Sequence, residues 1–380
     1  MLNGMELTNF KCFQRQRIDF RPLTLLTGVN SAGKSTVIQA LLLLQQNFAP
    51  YWEEAVRYLL PNCSTPHKSL PKGVKKLQLA GALVNLGLLE DALCSNADDD
   101  AFTIAIEQDG VPFSLKASLD GEELLAAWDQ DLTCIDPAYF QYLHADRLCP
   151  QTLFPMPKAG QLSFNAIGNK GEFAAYHLHA FGQTKIVHAD TSGPNLLAPD
   201  AAGDSTSLHI QTEAWLSQLG SPVRIQTERP AGTDAVVLRF SFPDISRSYY
   251  RPTNVGFGLT YALPVFVAAL RAPVGSLLIV ENPEAHLHPR GQALMGHFLA
   301  RAASCGVQVI IETHSDHVLN GIRVAVKQGA IAHGNVQINF FHQQDGTSCV
   351  STPHIDKDGH LDLWPENFFD EWDKQLSELL

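Results

Sequence analysis

The residues most able to do chemistry form a glycine-rich loop near the start of the chain. Gly28–Thr36 fits the pattern G-x-x-x-x-G-K-[ST], and the apolar run Leu23–Thr27 precedes it. Glycines let the backbone curve around a phosphate chain with its N–H groups pointing inward, and the N-terminus of a following helix adds partial positive charge. An apolar strand before the loop and a helix after it are what this mechanism requires. The loop therefore predicts binding of a nucleoside triphosphate.

Each position of this loop has an expected role. Lys34 would bridge the β- and γ-phosphates, and the Ser35 hydroxyl would hold Mg²⁺, so ATP and Mg²⁺ are the predicted cofactors. The other positions would surround the phosphates through backbone amides and the first helical turn, and they are Gly28, Asn30, Ser31, Ala32, Gly33 and Thr36.

An acidic strand end lies far downstream of the loop. The apolar run Leu277–Val280 leads directly into Glu281-Asn282-Pro283-Glu284. Glu281 is expected to hold the Mg²⁺ shell at the carboxyl end of a buried strand. Asn282 stands where a carboxylate usually polarises the attacking water, and an amide cannot accept that proton. Either Glu284 takes this role or hydrolysis is slow.

A second apolar strand also ends in polar residues. Val307–Ile311 is followed by Glu312-Thr313-His314-Ser315, which places His314 where an imidazole could sense the γ-phosphate. His317 is expected simply to lie on the following helix.

A second glycine-rich turn, Asn254–Thr260, leads into the apolar helix YALPVFVAALRA. Such a turn offers another anion-binding helix end. Its candidate binding residues are Gly256, Phe257, Gly258 and Thr260. Phosphate loop, long insertion, glycine turn, acidic strand and histidine follow the order seen in ABC-type ATPases. In that class the second turn caps the nucleotide of the other subunit, which implies an ATP-sandwiched homodimer.

The surrounding pattern predicts the elements that position these residues. Residues 5–27 alternate like strands, and residues 77–150, including YFQYL, suggest an antiparallel β layer. Residues 165–220 look like a helical insertion. From residue 254 onward, helices alternate with apolar strands, which indicates a parallel sheet covered by helices. An acidic amphipathic helix is expected near Phe368–Leu380.

The chain resembles the SMC/RecF/OLD-like branch of ABC ATPases, and more closely the bacterial AAA-type ATPases with a small C-terminal domain of unknown function. The matching segments are Asn9–Phe13, Gly28–Thr36, Leu86-Gly87 with Asp91, Ala145–Pro150, Gly256–Thr260, Glu281–Pro289, Thr313–Ser315, Leu363–Pro365 and Phe368–Asp370. The Glu-x-Pro-Glu-x-His-Leu-His-Pro stretch is the most specific of these.

The resemblance implies an α/β P-loop NTPase of the ABC-head type, with nucleotide roles for Lys34, Ser35, Glu281 and His314. An ATPase head at 1–335 would include the antiparallel layer and the helical insertion, and a small C-terminal domain would follow at 336–380. The γ-phosphate-sensing glutamine of transporter-type relatives has two candidate matches, Gln78 and Asn85.

The composition limits which partners and which cellular compartment are expected for this protein. The chain has 380 residues, with 27 Lys+Arg against 39 Asp+Glu, a net charge of −12. This acidic balance argues against coating nucleic acid by bulk charge, although a local basic groove stays open. The 7 cysteines are scattered without a C-x-x-C pair, which predicts a reduced, cytoplasmic protein. The apolar runs are too short for a membrane span.

Weaker patterns have simpler interpretations. Four lysines could touch a phosphate backbone, but a solvated loop is favoured for them: Lys68, Lys72, Lys75 and Lys76. A zinc site at His286 with His288, or at His177 with His179, is disfavoured because residues two apart on a helix point in different directions. Asp356, Asp358 and His360 favour a hairpin turn over a nuclease cluster.

The sequence leaves two functions open. One is a motor or switch acting on DNA or RNA, in genome maintenance or phage defence. The other is a nucleotide-gated scaffold that releases a protein effector, such as a nuclease or toxin encoded nearby. A transporter ATPase is a weaker third option.

Overall fold

The computed structural model describes residues 1–58, 69–70, 73–120, 123–128, 132–133, 139–158, 167–199 and 205–379. Lys68 and Lys72 lie outside these residues. Contacts divide the chain into two units, called unit A and unit B below. Unit A comprises Met1–Pro137, Gln337–His354 and Leu363–Leu380, and unit B comprises Ala138–Val336 and Ile355–Asp362. The predicted division at residue 335 stays a prediction.

The strands are numbered in chain order. They are β1 (Leu2–Phe10), β2 (Phe13–Asp19), β3 (Leu23–Gly28), β4 (Ser69–Leu70), β5 (Gly73–Lys76), β6 (Ala101–Gln108), β7 (Val111–Asp120), β8 (Glu123–Trp128), β9 (Leu132–Thr133), β10 (Phe140–Leu143), β11 (Leu153–Pro155), β12 (Arg224–Glu228), β13 (Ala235–Phe242), β14 (Ser246–Tyr250), β15 (Leu277–Glu281), β16 (Gln308–Glu312), β17 (Val336–Gln344) and β18 (Thr347–Ser351).

The helices are numbered in the same way. They are α1 (Lys34–Tyr58), α2 (Leu89–Ala92), α3 (Ala174–Phe181), α4 (Leu208–Ser217), α5 (Phe257–Arg271), α6 (Pro289–Ser304), α7 (Asp316–Lys327) and α8 (Glu371–Leu379). Within the described residues, no helix combines the length and the apolar character that crossing a bilayer needs.

Unit A is built around an antiparallel sheet in the order β2-β1-β6-β7-β8-β5. Its long strands alternate between core and solvent, and the rings of Phe10 and Phe102 lie 5.1 Å apart on the buried face. The predicted antiparallel layer is therefore present, but it already begins at Leu2. β3 lies beside β17, which pairs with β18 in antiparallel fashion.

Unit B contains a parallel sheet formed by β10, β15 and β16. The residues of β15 and β16 are all buried, which explains why the apolar residues Leu277–Val280 and Val309–Ile311 follow one another without polar alternation. The assignment of YFQYL to an antiparallel layer was wrong, because Tyr142 lies opposite Ile279 in parallel register. A strand of four residues is too short for its pattern to indicate strand direction.

The rest of unit B packs helices beside a small antiparallel sheet. β11, β13 and β12 form that sheet, with β14 pairing on β13. The region 165–220, predicted to be helical, contains α3 and α4. Trp215 of α4 is buried, with its ring 4.8 Å from that of Phe298 and 6.2 Å from that of Phe266. This aromatic cluster joins α4, α5 and α6.

Candidate functional site

The glycine loop of unit A has a backbone that only glycine can form at two positions. Gly28 ends β3 with φ +133°, and a Cβ there would lie 2.0 Å from the carbonyl oxygen of Phe341. Gly33 has φ +112°, and a Cβ there would lie 2.4 Å from the ring of Phe13. Because no side chain fits at either position, the curvature of the loop requires glycine at both.

Lys34 follows this loop as the first residue of α1, and its side chain is only 4% exposed. Its Nζ donates to the carbonyl oxygens of Gly28 at 2.9 Å and Val29 at 2.8 Å. The charged group is thus held against the loop it is expected to serve. The N–H groups of Nζ that donate to these two carbonyl oxygens would donate to phosphate oxygens when a nucleotide is bound.

A cavity of about 480 Å³ opens beside the loop within unit A. Its lining includes Ser31, Gly33, Lys34, Ser35 and Thr36, with Lys11, Cys12 and Asp91 at other positions. Ser35 is exposed, whereas Ala32 is buried and Asn30 is exposed on the loop. A cavity that combines two lysines with a glycine backbone cradle suits a phosphate chain.

The two candidates for the γ-phosphate-sensing glutamine lie elsewhere in unit A. Gln78 donates its backbone N–H to Asn47 Oδ1 at 2.9 Å, and the amide of Asn85 accepts from the N–H of Gly87. In the described residues, neither Gln78 nor Asn85 is among those lining the cavity. Both assignments stay predictions.

Glu281 is the last residue of β15 in unit B, and only 9% of its surface is exposed to solvent. Its Oε1 accepts from the Tyr142 hydroxyl at 2.9 Å, and its Oε2 accepts from the N–H of Ala145 at 3.0 Å. Burial, and next the charge of Glu281, raise the pKa of Tyr142 well above its usual value, so this hydroxyl stays a donor. These two hydrogen bonds therefore fix the orientation of the Glu281 carboxyl group.

Asn282 and Glu284 follow in a tight turn. Asn282 has φ +44°, and its N–H donates to the carbonyl oxygen of Glu312 at 2.8 Å. Glu284 Oε1 accepts the backbone N–H of His314 at 3.1 Å. Glu284 Oε2 is buried with no hydrogen-bond partner among the described residues, and burial raises the pKa of this carboxyl. This side chain holds in place the loop Thr313–Ser315, which is called the histidine loop below.

His314 lies exposed directly after β16, between the buried residues Thr313 and Ser315. Ser315 caps α7 by accepting the N–H of Val318, and its hydroxyl donates to Gln292 Oε1 at 2.6 Å. The backbone around the imidazole is thus anchored on both sides. His317 lies on α7, as predicted.

The second glycine turn precedes α5, with Gly256 at the N-cap and both Gly256 and Phe257 exposed. A Cβ at Gly258 would lie 2.7 Å from the carbonyl oxygen of His286, which explains the glycine by close packing. The hydroxyl of Thr260 is buried without a hydrogen-bond partner among the described residues. The turn therefore exposes a helix N-terminus, whose first N–H groups have no acceptor within the helix itself.

Unit B thus joins three of the predicted segments. The turn after β15 contacts the histidine loop through Glu284, and it contacts the start of α5 through His286. Sequence reasoning missed two contributors to this arrangement, Tyr142 and Arg147. Arg147 lies inside the segment Ala145–Pro150 that carried part of the resemblance, whereas Tyr142 had no distinguishing signal.

The other clusters considered from the sequence have the following surroundings in the described residues. No group of three or more metal-ligating side chains is found there, and His288 instead caps α6. Asp356 Oδ1 accepts the N–H groups of Asp358 and His360, which confirms the turn. The prediction of a solvated loop was wrong for Lys75 and Lys76, because both lie on β5, which pairs with β8. Lys75 donates to the carbonyl oxygen of Asn47, and Lys76 pairs with Glu123 at 3.0 Å.

Three family matches cover separate parts of the chain. A family described as an AAA ATPase domain matches residues 1–113. An AAA domain described with the AbiEii toxin and type IV TA systems matches residues 184–320. A protein family of unknown function, DUF3696, matches residues 331–379. None of the curated proteins compared with the chain matches it.

Solved structures show the same fold. An SmcHead bound to the C-winged helix domain of ScpA matches with a TM-score of 0.54 and 14% identity, over 93% of this chain and 98% of that chain. Two segments of the chain thus match models of AAA-type ATPase domains, and the chain shares the fold of the SMC head. A second Smc head has an extended coiled coil and is bound to the C-terminal domain of ScpA derived from Pyrococcus furiosus. It matches with a TM-score of 0.51 and 13% identity, over 100% of this chain and 99% of that chain. The expected ABC-type P-loop fold is therefore confirmed.

Proposed function

We propose that this ATPase head binds ATP with Mg²⁺, hydrolyses it slowly, and works as a homodimer that encloses two nucleotides. The observation that carries the proposal is the loop of Gly28–Thr36. Two of its positions exclude every side chain, and the ammonium group of Lys34 is already held against its carbonyls. Such a preorganised cationic cradle has little other use than to bind a phosphate chain.

Two oxygen groups suit a magnesium ion. The Ser35 hydroxyl is exposed at the cavity of unit A. In unit B, the Glu281 carboxyl group at the end of β15 is oriented by hydrogen bonds from Tyr142 and Ala145. Mg²⁺ prefers such hard oxygen ligands and water. When bound, the ion would neutralise charge on the phosphates, while this chain's own residues orient the nucleotide.

Slow hydrolysis is supported by the side chains around Asn282. The amide cannot take a proton from water, and Glu284 uses one oxygen to hold the backbone of His314. Water would then attack the γ-phosphorus in line and release ADP and phosphate, with catalysis by positioning and electrostatics.

Replacement of Lys34 by alanine tests the proposal. Removing the ammonium group should weaken ATP binding by at least about 10- to 100-fold, since a charge-assisted contact contributes about 1.5–3 kcal/mol. Equilibrium binding of a fluorescent ATP analogue measures the affinity. The matched control is Lys116→Ala, which removes an exposed lysine of β7 paired with Asp99. Unchanged affinity in Lys34→Ala would overturn the site.

Two observations favour a nucleotide-gated scaffold over a nucleic-acid motor as the cellular role. Asn282 favours long-lived ATP-bound states, and one matching family is described with a toxin of type IV TA systems. In this version a cytoplasmic protein would hold a nearby-encoded effector, such as a nuclease or toxin, in phage defence. Co-purification of that effector, and its release by ATP, would support the scaffold. Steeply salt-dependent DNA or RNA binding would support the motor instead.

A further inference from the structure

Arg147 is a buried arginine that holds two consecutive carbonyl groups. Its side chain is only 1% exposed, and Nη1 donates to the carbonyl oxygen of Glu281 at 2.7 Å. Nη2 donates to the carbonyl oxygen of Asn282 at 2.5 Å. The fork of a guanidinium group is suited to such paired contacts, which a lysine cannot reproduce. The contact holds the point where β15 passes into the candidate catalytic turn.

The backbone of Asn282 makes this paired contact feasible. Successive residues of a regular strand face opposite sides, so neighbouring carbonyls do not converge on one donor. Asn282 leaves the strand conformation with φ +44°, a region that is uncommon for residues other than glycine. The paired contact of Arg147 therefore depends on the turn at Asn282, and the turn in its observed form depends on that contact.

Arg147 also contacts the helix that begins with the second glycine turn. Its guanidinium carbon lies 5.6 Å from the ring centre of Tyr261 in α5. The ring of Tyr261 lies 4.5 Å from that of His286, and His286 lies 5.4 Å from Phe257. One cation thus connects the turn after β15 with α5 near the start of that helix.

The charge of Arg147 is costly to bury, which argues against a role in stability alone. Burial lowers the pKa of Arg147 to about 10, so the group stays protonated at neutral pH. The charges of Glu284 and Glu281 partly offset the burial. Its Nε has no hydrogen-bond partner among the described residues. A buried ion is weak evidence for stability, and an unsatisfied donor lowers stability further.

We propose that Arg147 is a positioning residue that couples the turn after β15 to helix α5. A shift of Glu281 and Asn282 when the γ-phosphate binds or leaves moves the guanidinium group, and the stacked Tyr261 ring transmits that movement to the glycine turn. This inference rests on the proposed ATPase function and adds a specific link between hydrolysis and dimerisation.

Two substitutions remove the forked contact of Arg147, one with its charge kept and one with its charge removed. Arg147→Lys keeps the charge but loses the fork, and Arg147→Met keeps the aliphatic bulk but loses the charge. Both variants should bind the fluorescent ATP analogue within about threefold of the wild type and retain KM, since the phosphate loop is intact. Both should lower kcat by at least about tenfold and weaken ATP-dependent dimerisation in sedimentation, because misplaced catalytic groups lose positioning.

Arg301 provides a matched control in the same unit. It donates to the carbonyl oxygens of Asn195 at 2.8 Å and Leu197 at 3.1 Å, and its guanidinium carbon lies 5.2 Å from the Trp215 ring centre. Arg301→Lys should lower the melting temperature as Arg147→Lys does, yet leave kcat unchanged. An equal loss of kcat in both variants would assign Arg147 a merely structural role and overturn the proposal.

Tyr261→Leu gives an independent test from the other side of the contact. It should reproduce the loss of kcat, and the double variant with Arg147→Lys should be no worse than either single one, because both break one link. Additive losses, or wild-type kcat and dimerisation in Arg147→Lys, would refute the coupling. Wild-type ATP affinity in Lys34→Ala would instead refute the ATP site itself, so the two failures are distinct.

Discussion

At the scale of single residues, the surroundings of Glu284 distinguish between two roles for its side chain, as a general base or as a group that positions the histidine loop. A general base needs a carboxylate whose free oxygen can reach a water, and proton transfer of this kind contributes typically 10²–10⁴-fold. Here one oxygen accepts the N–H of His314, and the other is buried without a partner among the described residues. Both facts favour a side chain that positions the histidine loop.

Glu284→Gln and Glu284→Leu distinguish these roles. Glutamine keeps an oxygen that can accept the N–H of His314, so we expect kcat within about fivefold of the wild type. Leucine removes the acceptor and leaves that N–H unpaired, so we expect a loss of at least about tenfold. Steady-state phosphate release measures both. A loss of about 100-fold or more in the glutamine variant would identify Glu284 as the base.

At the scale of elements, two glycines set the spacing of α6 and α7. A Cβ at Gly321 would lie 2.0 Å from the carbonyl oxygen of Ala293, and one at Gly296 would lie 2.2 Å from that of Val318. The helices therefore meet at backbone contact distance. α6 follows the turn that contains Glu284, and α7 follows His314. Their spacing thus bears on the distance between these two groups.

Gly321→Ala should separate the two helices. The added methyl group has no room against backbone atoms, so we expect a loss of about 1–3 kcal/mol in the free energy of unfolding and a lower kcat. Urea unfolding and ATPase assays measure the two effects. Gly220→Ala is the control, because a Cβ there meets nothing within 4 Å. Equal stability of the two variants would contradict the tight helix contact.

At the scale of the whole molecule, dimerisation is proposed to use the exposed start of α5. Phe257 is 47% exposed there, although it is a large apolar side chain. Exposed aromatic residues are frequent anchors of protein interfaces. Its exposure also means that a charged replacement can be accommodated without disturbing the core.

Phe257→Asp should prevent ATP-dependent dimerisation while the monomer still binds ATP. We expect the dimer dissociation constant to rise at least about 30-fold, which corresponds to losing about 2 kcal/mol at an anchor residue. Sedimentation velocity with ATP and Mg²⁺ measures it. Ile245→Asp changes a 75% exposed apolar residue of unit B and should dimerise normally. Normal dimerisation of Phe257→Asp would exclude this surface.

The sequence by itself determined the parts of this protein whose geometry is local. Gly28 and Gly33 are needed because the phosphate loop curves back within a few residues, and the short apolar runs before Glu281 and Glu312 already indicated buried parallel strands. Each pattern involves residues that are close together along the chain. The residue types and their spacing are therefore enough to predict the local structure.

The tertiary structure alone decided which distant residues complete the site. Tyr142 and Arg147 contact Glu281 across separations of 139 and 134 residues, and such contacts leave no periodic trace in one sequence. The parallel pairing of β10 likewise depends on the strand it meets rather than on its own four residues. Hydrogen bonds and burial join these groups only after folding, because the chain must first bring them within a few ångströms.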